Sequence, residues 1–147
     1  MKIVGTGSCL PQRVVSNDDL AAIMDTSDEW ISSRTGIRNR HIATTETTTS
    51  LACDAVKSAL QDAGIDGSEI DLIIAASVST DKIVPSLACQ IQAEIGAGSA
   101  VAFDINAACS GFLFGLATAD AYFKTGRFHK AVVVGAEVPV SYTHLRA

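Results

Sequence analysis

Cys109 stands in the run Ala102-Phe103-Asp104-Ile105-Asn106-Ala107-Ala108-Cys109-Ser110-Gly111-Phe112, where a strand-like apolar stretch gives way to small residues and then to a helical pattern. A thiol at the start of a helix is suited to nucleophilic chemistry. The positive end of the helix dipole stabilises a thiolate, and amides without helical partners can hold a developing oxyanion. Small neighbours let a bulky thioester reach the sulfur. The competing reading is a small buried hydrophobe, which is how most unpaired cysteines behave. Cys9, Cys53 and Cys89 fit that second reading, the first in a strand-like run and the others on or beside apolar helical stripes.

Other chemistries find little support. The four cysteines form no Cys-x-x-Cys pair and stand near no matching histidine, so neither a metal site nor a disulfide framework is expected. Reduced thiols in a cytoplasm remain. Gly5-Thr6-Gly7 is not a dinucleotide fingerprint, because the third glycine position falls at Leu10 and no complete strand–helix unit precedes it. No phosphate-cradling P-loop occurs. Arg34, Arg38 and Arg40 read, on pattern alone, as a solvated charged face, and Trp30 as a core anchor.

The elements that must position Cys109 follow from apolar periodicity. Residues 2–9 read as a strand and 17–24 as a short helix behind Ser16 or Asn17. Thr26-Ser27-Asp28-Glu29 matches a capping box with Thr26 as N-cap, opening a helix that carries Trp30 and Arg34 and closes near Gly36. Residues 37–43 look extended. Leu51, Ala52, Ala55, Val56, Ala59, Leu60 and Ala63 fall on one helical face, ended by Gly64. A strand over 72–78, a helix over 85–95 with Pro85 in its first turn, and a strand over 100–105 come next. A helix from Cys109 to Lys124 and a strand over 131–136 complete the pattern. Strands apolar throughout and separated by helices imply an α/β fold, a mostly parallel sheet covered by helices on both faces.

The chain of 147 residues, 48% hydrophobic and 18% charged, is long enough for one domain with a sizeable core. A net charge of −5 and a pI near 5.0 argue against a general nucleic-acid binder. No apolar run reaches bilayer length, and the amino terminus lacks a signal-peptide pattern, so no membrane association is expected.

Five segments in order resemble the β-ketoacyl-acyl-carrier-protein synthase III family of condensing enzymes. They are Gly5-Thr6-Gly7-Ser8-Cys9-Leu10-Pro11, Asp25-Thr26-Ser27-Asp28-Glu29-Trp30-Ile31, and Arg34-Thr35-Gly36-Ile37-Arg38-Asn39-Arg40-His41-Ile42-Ala43. Pro85-Ser86-Leu87-Ala88-Cys89-Gln90-Ile91-Gln92 and the Cys109 run complete the set. The resemblance implies a thiolase-like fold, built from two similar βαβαβ-type halves in an α/β/α/β/α body, with residues 1–138 as the amino-terminal, nucleophile-bearing half. It implies that Cys109 accepts an acyl group from an acyl-coenzyme A primer, which condenses decarboxylatively with malonyl-acyl-carrier-protein to a β-ketoacyl product. Coenzyme A is there a substrate, and no cofactor is expected.

The resemblance further implies that Trp30 and Arg34 hold the adenine end of coenzyme A, with Thr26 and Thr35 close by. An indole offers a flat face to a purine and a guanidinium pairs with phosphate. Val84 falls where one subunit of a homodimer closes its partner's acyl pocket, and strand 100–106 is the candidate for a shared sheet. The family's catalytic His and Asn belong to the second half, and His41, His129 and His144 do not take their place. Residues 139–147 match nothing expected in the family and are read as a foreign or unstructured tail. The alternatives are another thiolase-fold starter synthase, for polyketide or quinolone-like products, and a non-catalytic coenzyme A-binding α/β domain.

Overall fold

The computed structural model describes residues 1–138, so the expected tail over 139–147 lies outside the described residues. Two units are distinguishable: 10–46, and 1–9 together with 47–138.

In the first unit, β1 (Arg13–Ser16) pairs antiparallel with β2 (Asn39–Ile42), in register from Arg13↔Ile42 to Ser16↔Asn39. β1 was not expected, since four residues are too few to set up a readable alternation. Helix α1 (Asn17–Ala21) follows directly, shorter than the 17–24 stretch expected. Its cap is reciprocal: the Ser16 hydroxyl accepts the Asp19 N–H at 3.1 Å, and the Asp19 carboxylate accepts the Ser16 N–H at 2.8 Å. Helix α2 (Asp28–Thr35) is capped by Ser27, whose hydroxyl accepts the Trp30 N–H at 3.1 Å. This corrects the expectation of Thr26 as N-cap. Serine and threonine cap alike, so adjacent candidates in Thr26-Ser27 leave the register to tertiary contacts. Gly36 ends α2 at φ 73°, the left-handed value that glycine adopts without steric cost.

Glu46 holds the chain before the second unit. Its carboxylate accepts N–H groups from Thr44 at 2.9 Å, Thr45 at 3.1 Å and Gln12 at 3.0 Å. These bonds, that of Thr44 foremost, hold its pKa down to about 2. A lowered folded-state value means the contribution is complete above the ordinary 4.5 and is lost as pH falls toward about 2. Amide protection at Gln12 and Thr44 should therefore fade through that window. In Glu46→Gln it should already be low at neutral pH, and equal protection in variant and parent would refute the assignment.

The second unit contains α3 (Thr48–Ala63), β3 (Leu72–Ala76), α4 (Leu87–Glu94), β4 (Val101–Ile105), α5 (Gly111–Lys124) and β5 (Ala131–Gly135). β3 is the central strand, parallel to β4 on one side and β5 on the other. It is fully buried, as its unbroken apolar run requires. Alternation directs Ile73 and Ala75 to one face, where they join Ala52, Val56, Leu87 and Ile91 of α3 and α4. Leu72 and Ile74 turn to the other, against Ala119, Tyr122 and Phe123 of α5. Each of Leu72, Ile73 and Ile74, with no exposed surface, contributes about 1.5–3 kcal/mol of burial.

Residues 2–9 form no strand, which corrects the sequence expectation. A strand needs a neighbour, and among the described residues no backbone hydrogen bond ties this segment to one. It lies against α3 instead. A Cβ on Gly7 would come within 2.3 Å of the Ala55 carbonyl oxygen, and Thr6 donates its N–H to Asp62 at 2.8 Å. Pro85 precedes α4 rather than opening it: Ser86 is the N-cap, accepting the Cys89 N–H at 3.3 Å.

Candidate active site

Cys109 lies on the way from β4 to α5. The expected helix start is resolved into a 3-10 turn, Ala108–Ser110, that runs into Gly111, so the thiol stands just ahead of α5 and not within it. Ser110 N–H bonds the Ala107 carbonyl at 3.1 Å, closing the turn. Ala108 takes φ 44°, a left-handed conformation costing an alanine about 1–2 kcal/mol. The turn is held because Gly111 brings α5 against the sheet: a Cβ there would fall 2.8 Å from Ala76 Cβ.

Of the chain's four cysteines, Cys109 alone is exposed. Cys53 is buried, and burial, reinforced by Glu94, pushes its thiol above the usual range. Cys89 is half-buried, with its sulfur 4.0 Å from the Ala102 carbonyl oxygen. Phe112, Leu113 and Phe114, three to five residues after the thiol, are 46%, 66% and 55% exposed. They give the start of α5 an exposed apolar surface.

Because β3, β4 and β5 are parallel, their carboxyl ends share one edge, the usual location of ligand sites in such sheets. The Cys109 turn follows β4 there, and the segment 77–86 carrying Val84 follows β3. Val84 is 82% exposed and joined to Pro85 by a cis peptide. Asp104, which the sequence reading did not single out, links the two: its carboxylate accepts the Leu87 and Ala88 N–H groups at 2.8 and 2.7 Å.

Trp30 and Arg34 belong to the other unit, on α2. One helical turn apart, they meet: the Arg34 guanidinium carbon lies 4.8 Å from the centroid of the indole ring, a cation–π contact. Ser27, Glu29 and Ser33 line the same open cavity of about 290 Å³. Thr26 precedes the N-cap and is not part of that lining. Thr35 spends its hydroxyl on the helix end, donating to the Ile31 carbonyl at 2.8 Å and accepting the Ile37 N–H at 3.0 Å.

What orients α2 is Asn17, a residue the sequence reading gave only as a possible cap. It is 2% exposed, and its amide donates to Asp28 at 2.7 Å and to the Ile37 carbonyl at 2.8 Å, while its oxygen accepts from Arg40. Hydrogen bonds from Asn17 and then Ser32 hold the Asp28 carboxyl below its usual range. Among the described residues no group of His, Cys, Asp and Glu is placed to bind a metal ion, and no helix is long and apolar enough to cross a membrane.

Comparison with known proteins agrees with this fold. The family model of 3-oxoacyl-[acyl-carrier-protein] synthase III matches residues 103–146, the span that begins at β4 and takes in Cys109. β-Ketoacyl-[acyl-carrier-protein] synthase III of Streptococcus pneumoniae (strain Hungary19A-6) is 53% identical over 136 residues, which is 92% of this chain and 42% of the relative. The crystal structure of 3-oxoacyl-[acyl-carrier-protein] synthase III from Aquifex aeolicus VF5 superposes with a TM-score of 0.90 at 50% identity, over 93% of this chain and 44% of that one. The Thermus thermophilus β-ketoacyl-[acyl carrier protein] synthase III gives 0.87 at 38% identity, over 94% and 43%. The priming β-ketosynthase of the R1128 polyketide pathway gives 0.82 at 38% identity, over 86% and 38%. Fold and comparison together define an α/β chain of thiolase-like fold. Within that class the chain is similar to the 3-oxoacyl-[acyl-carrier-protein] synthase III family, and it spans about 42% of the length of the curated relatives it matches.

Proposed function

We propose that this chain is the nucleophile-bearing part of an initiating condensing enzyme of fatty-acid synthesis, a cytoplasmic acyltransferase that works as a homodimer. The observation that carries the reading is the exposed Cys109 on its strained turn at the carboxyl edge of the sheet. Its thiolate attacks the carbonyl carbon of an acyl-coenzyme A primer. The carbon–sulfur bond to coenzyme A breaks, and coenzyme A leaves as the thiol, taking up a proton. Malonyl-acyl-carrier-protein then loses carbon dioxide, and the carbanion so formed attacks the Cys109 thioester. A carbon–carbon bond forms, the β-ketoacyl chain stays on the carrier, and the Cys109 thiolate is released. A covalent intermediate of this kind gives ping-pong kinetics. The donors over the malonyl thioester oxygen are expected from a His and an Asn outside this chain.

Trp30 and Arg34 take the nucleotide end of coenzyme A in this reading, with Thr26 and Thr35 beside them, and Val84 borders the acyl pocket of the partner subunit. Likeness to the R1128 priming β-ketosynthase favours a second reading, a starter synthase for a specialised product with the same first half-reaction. Acyl-enzyme formation from acyl-coenzyme A, followed by intact mass and by release of free coenzyme A, tests both. A non-catalytic coenzyme A-binding domain would bind the thioester and release nothing. Arg34→Ala should weaken primer use about ten- to a hundredfold through binding, the loss of a charge-assisted contact of roughly 1.5–3 kcal/mol. Trp30→Ala should act in the same direction, and both variants should still label fully at high primer. Unchanged half-saturation in both would remove α2 from the binding site.

A further inference from the structure

The segment 77–86 is fastened by carboxylates from three directions. Glu137, just past β5, accepts the Val78 N–H at 2.8 Å and a bond from the Ser79 hydroxyl. Asp81 reaches the amino end of α3, accepting the Thr49 N–H at 2.7 Å and the Thr48 N–H at 3.3 Å. Thr48 returns a bond, its hydroxyl donating to the Ser79 carbonyl at 2.6 Å. Asp104 takes the Leu87 and Ala88 N–H groups where the segment enters α4. Between these ties Ile83 and Val84 stand 92% and 82% exposed.

Two bare apolar side chains on a firmly tied loop are an arrangement the isolated fold does not need. Ile83 and Val84 take no part in either core cluster and gain nothing from burial where they stand. The ties fix a position, and the position matters only to something that Val84 meets.

We propose that Asp81 is a positioning residue: by joining the loop to the first turn of α3 it sets where Val84 stands, and through Val84 which acyl chain the site accepts. The second clause rests on the reading of Val84 as part of the acyl pocket. The geometry suits an ionised carboxylate, which accepts both amides at the positive end of the α3 dipole. Burial opposes ionisation at Asp81, but hydrogen bonds from Thr49, Thr47 and Thr48 outweigh it and leave the carboxyl below its usual range. An amide in its place has one accepting oxygen and turns an NH2 group toward N–H donors.

The loop carries its own reporter, since Lys82 offers trypsin the Lys82–Ile83 bond. Cleavage there tracks the population in which the loop has come away. Asp81→Asn should be nicked roughly fivefold faster or more, with little change in the thermal midpoint of the chain. Asp81→Glu, which keeps the charge and displaces it by one methylene, should fall between Asp81→Asn and the parent. It also keeps the proposal testable if the amide variant does not fold. The ratio of Cys109 labelling by hexanoyl- to acetyl-coenzyme A should shift several-fold in Asp81→Asn. Unchanged nicking would overturn the anchoring role, and faster nicking with an unchanged labelling ratio would overturn the role in selectivity. Failure of the condensing-enzyme reading looks different: the parent takes no acyl group from either thioester, while nicking still accelerates and the anchoring role stands.

Discussion

Cys109→Ser is expected to take up no acyl group at any concentration of acyl-coenzyme A, whereas the parent chain gains one acyl mass that maps to Cys109. A serine hydroxyl has no accessible anionic form near neutrality, and nothing on the Ala108–Ser110 turn supplies a base to it. The loss should be complete, because what is removed is the atom that forms the bond. Compensation from another thiol is not expected. Cys53 is buried with its thiol pushed up, and Cys9 and Cys89 are both half-covered. The same contrast predicts the order of alkylation: a small electrophile should modify Cys109 before Cys53. Stable acylation of Cys53 or Cys89 in Cys109→Ala would show that the nucleophile has been misassigned.

How far this site could be read from the sequence depends on the distance over which each feature is determined. β3, α3 and α5 were legible because each declares itself within its own span, by an unbroken apolar run in Leu72–Ala76 or by steps of three and four residues. The position of Cys109 between a strand and a helix was legible for the same reason, since strand, small residues and helix follow one another in a single stretch. Trp30 and Arg34 share a helical face at i and i+4, so their contact follows once α2 exists.

Features set by distant partners were not legible. The short run over 2–9 reads as a strand, but a strand exists only with a neighbour, and glycines at 5 and 7 let the segment lie on α3 instead. The left-handed Ala108 gives no signal, because a positive φ is announced by glycine, asparagine or aspartate and not by alanine. Asn17 looks like an ordinary cap residue, and only the fold makes it the hub between α1, α2 and β2. Asp81, Asp104 and Glu137 each act on an element far along the chain, and no local pattern announces such a bond.

Asp104→Ala is expected to produce the largest loss of stability of any single change near the site. Asp104 is the one charged residue in the described strands β3, β4 and β5, and its two oxygens take the first two N–H groups of α4 at 2.8 and 2.7 Å. Leu87 and Ala88, the residues that own those groups, have no exposed surface, so water cannot replace the carboxylate without the helix end moving. Each buried donor left without a partner costs about 1–3 kcal/mol, which puts the loss at roughly 2–6 kcal/mol for the pair. Against a typical domain stability of about 5–15 kcal/mol, that is enough to move the urea midpoint well below the parent's. Asp104→Asn, which keeps one acceptor, should lose about half as much. The consequence for function follows from the same bond: α4 begins where the Val84 loop ends, and β4 runs directly into the Cys109 turn, so loosening this joint disturbs the Val84 loop and the Cys109 turn at once. Alkylation of Cys109 should then become faster in Asp104→Ala even under conditions where the chain remains folded. A urea midpoint equal to the parent's would mean that solvent or a neighbouring group satisfies the α4 amides, and that Asp104 does not join the two elements.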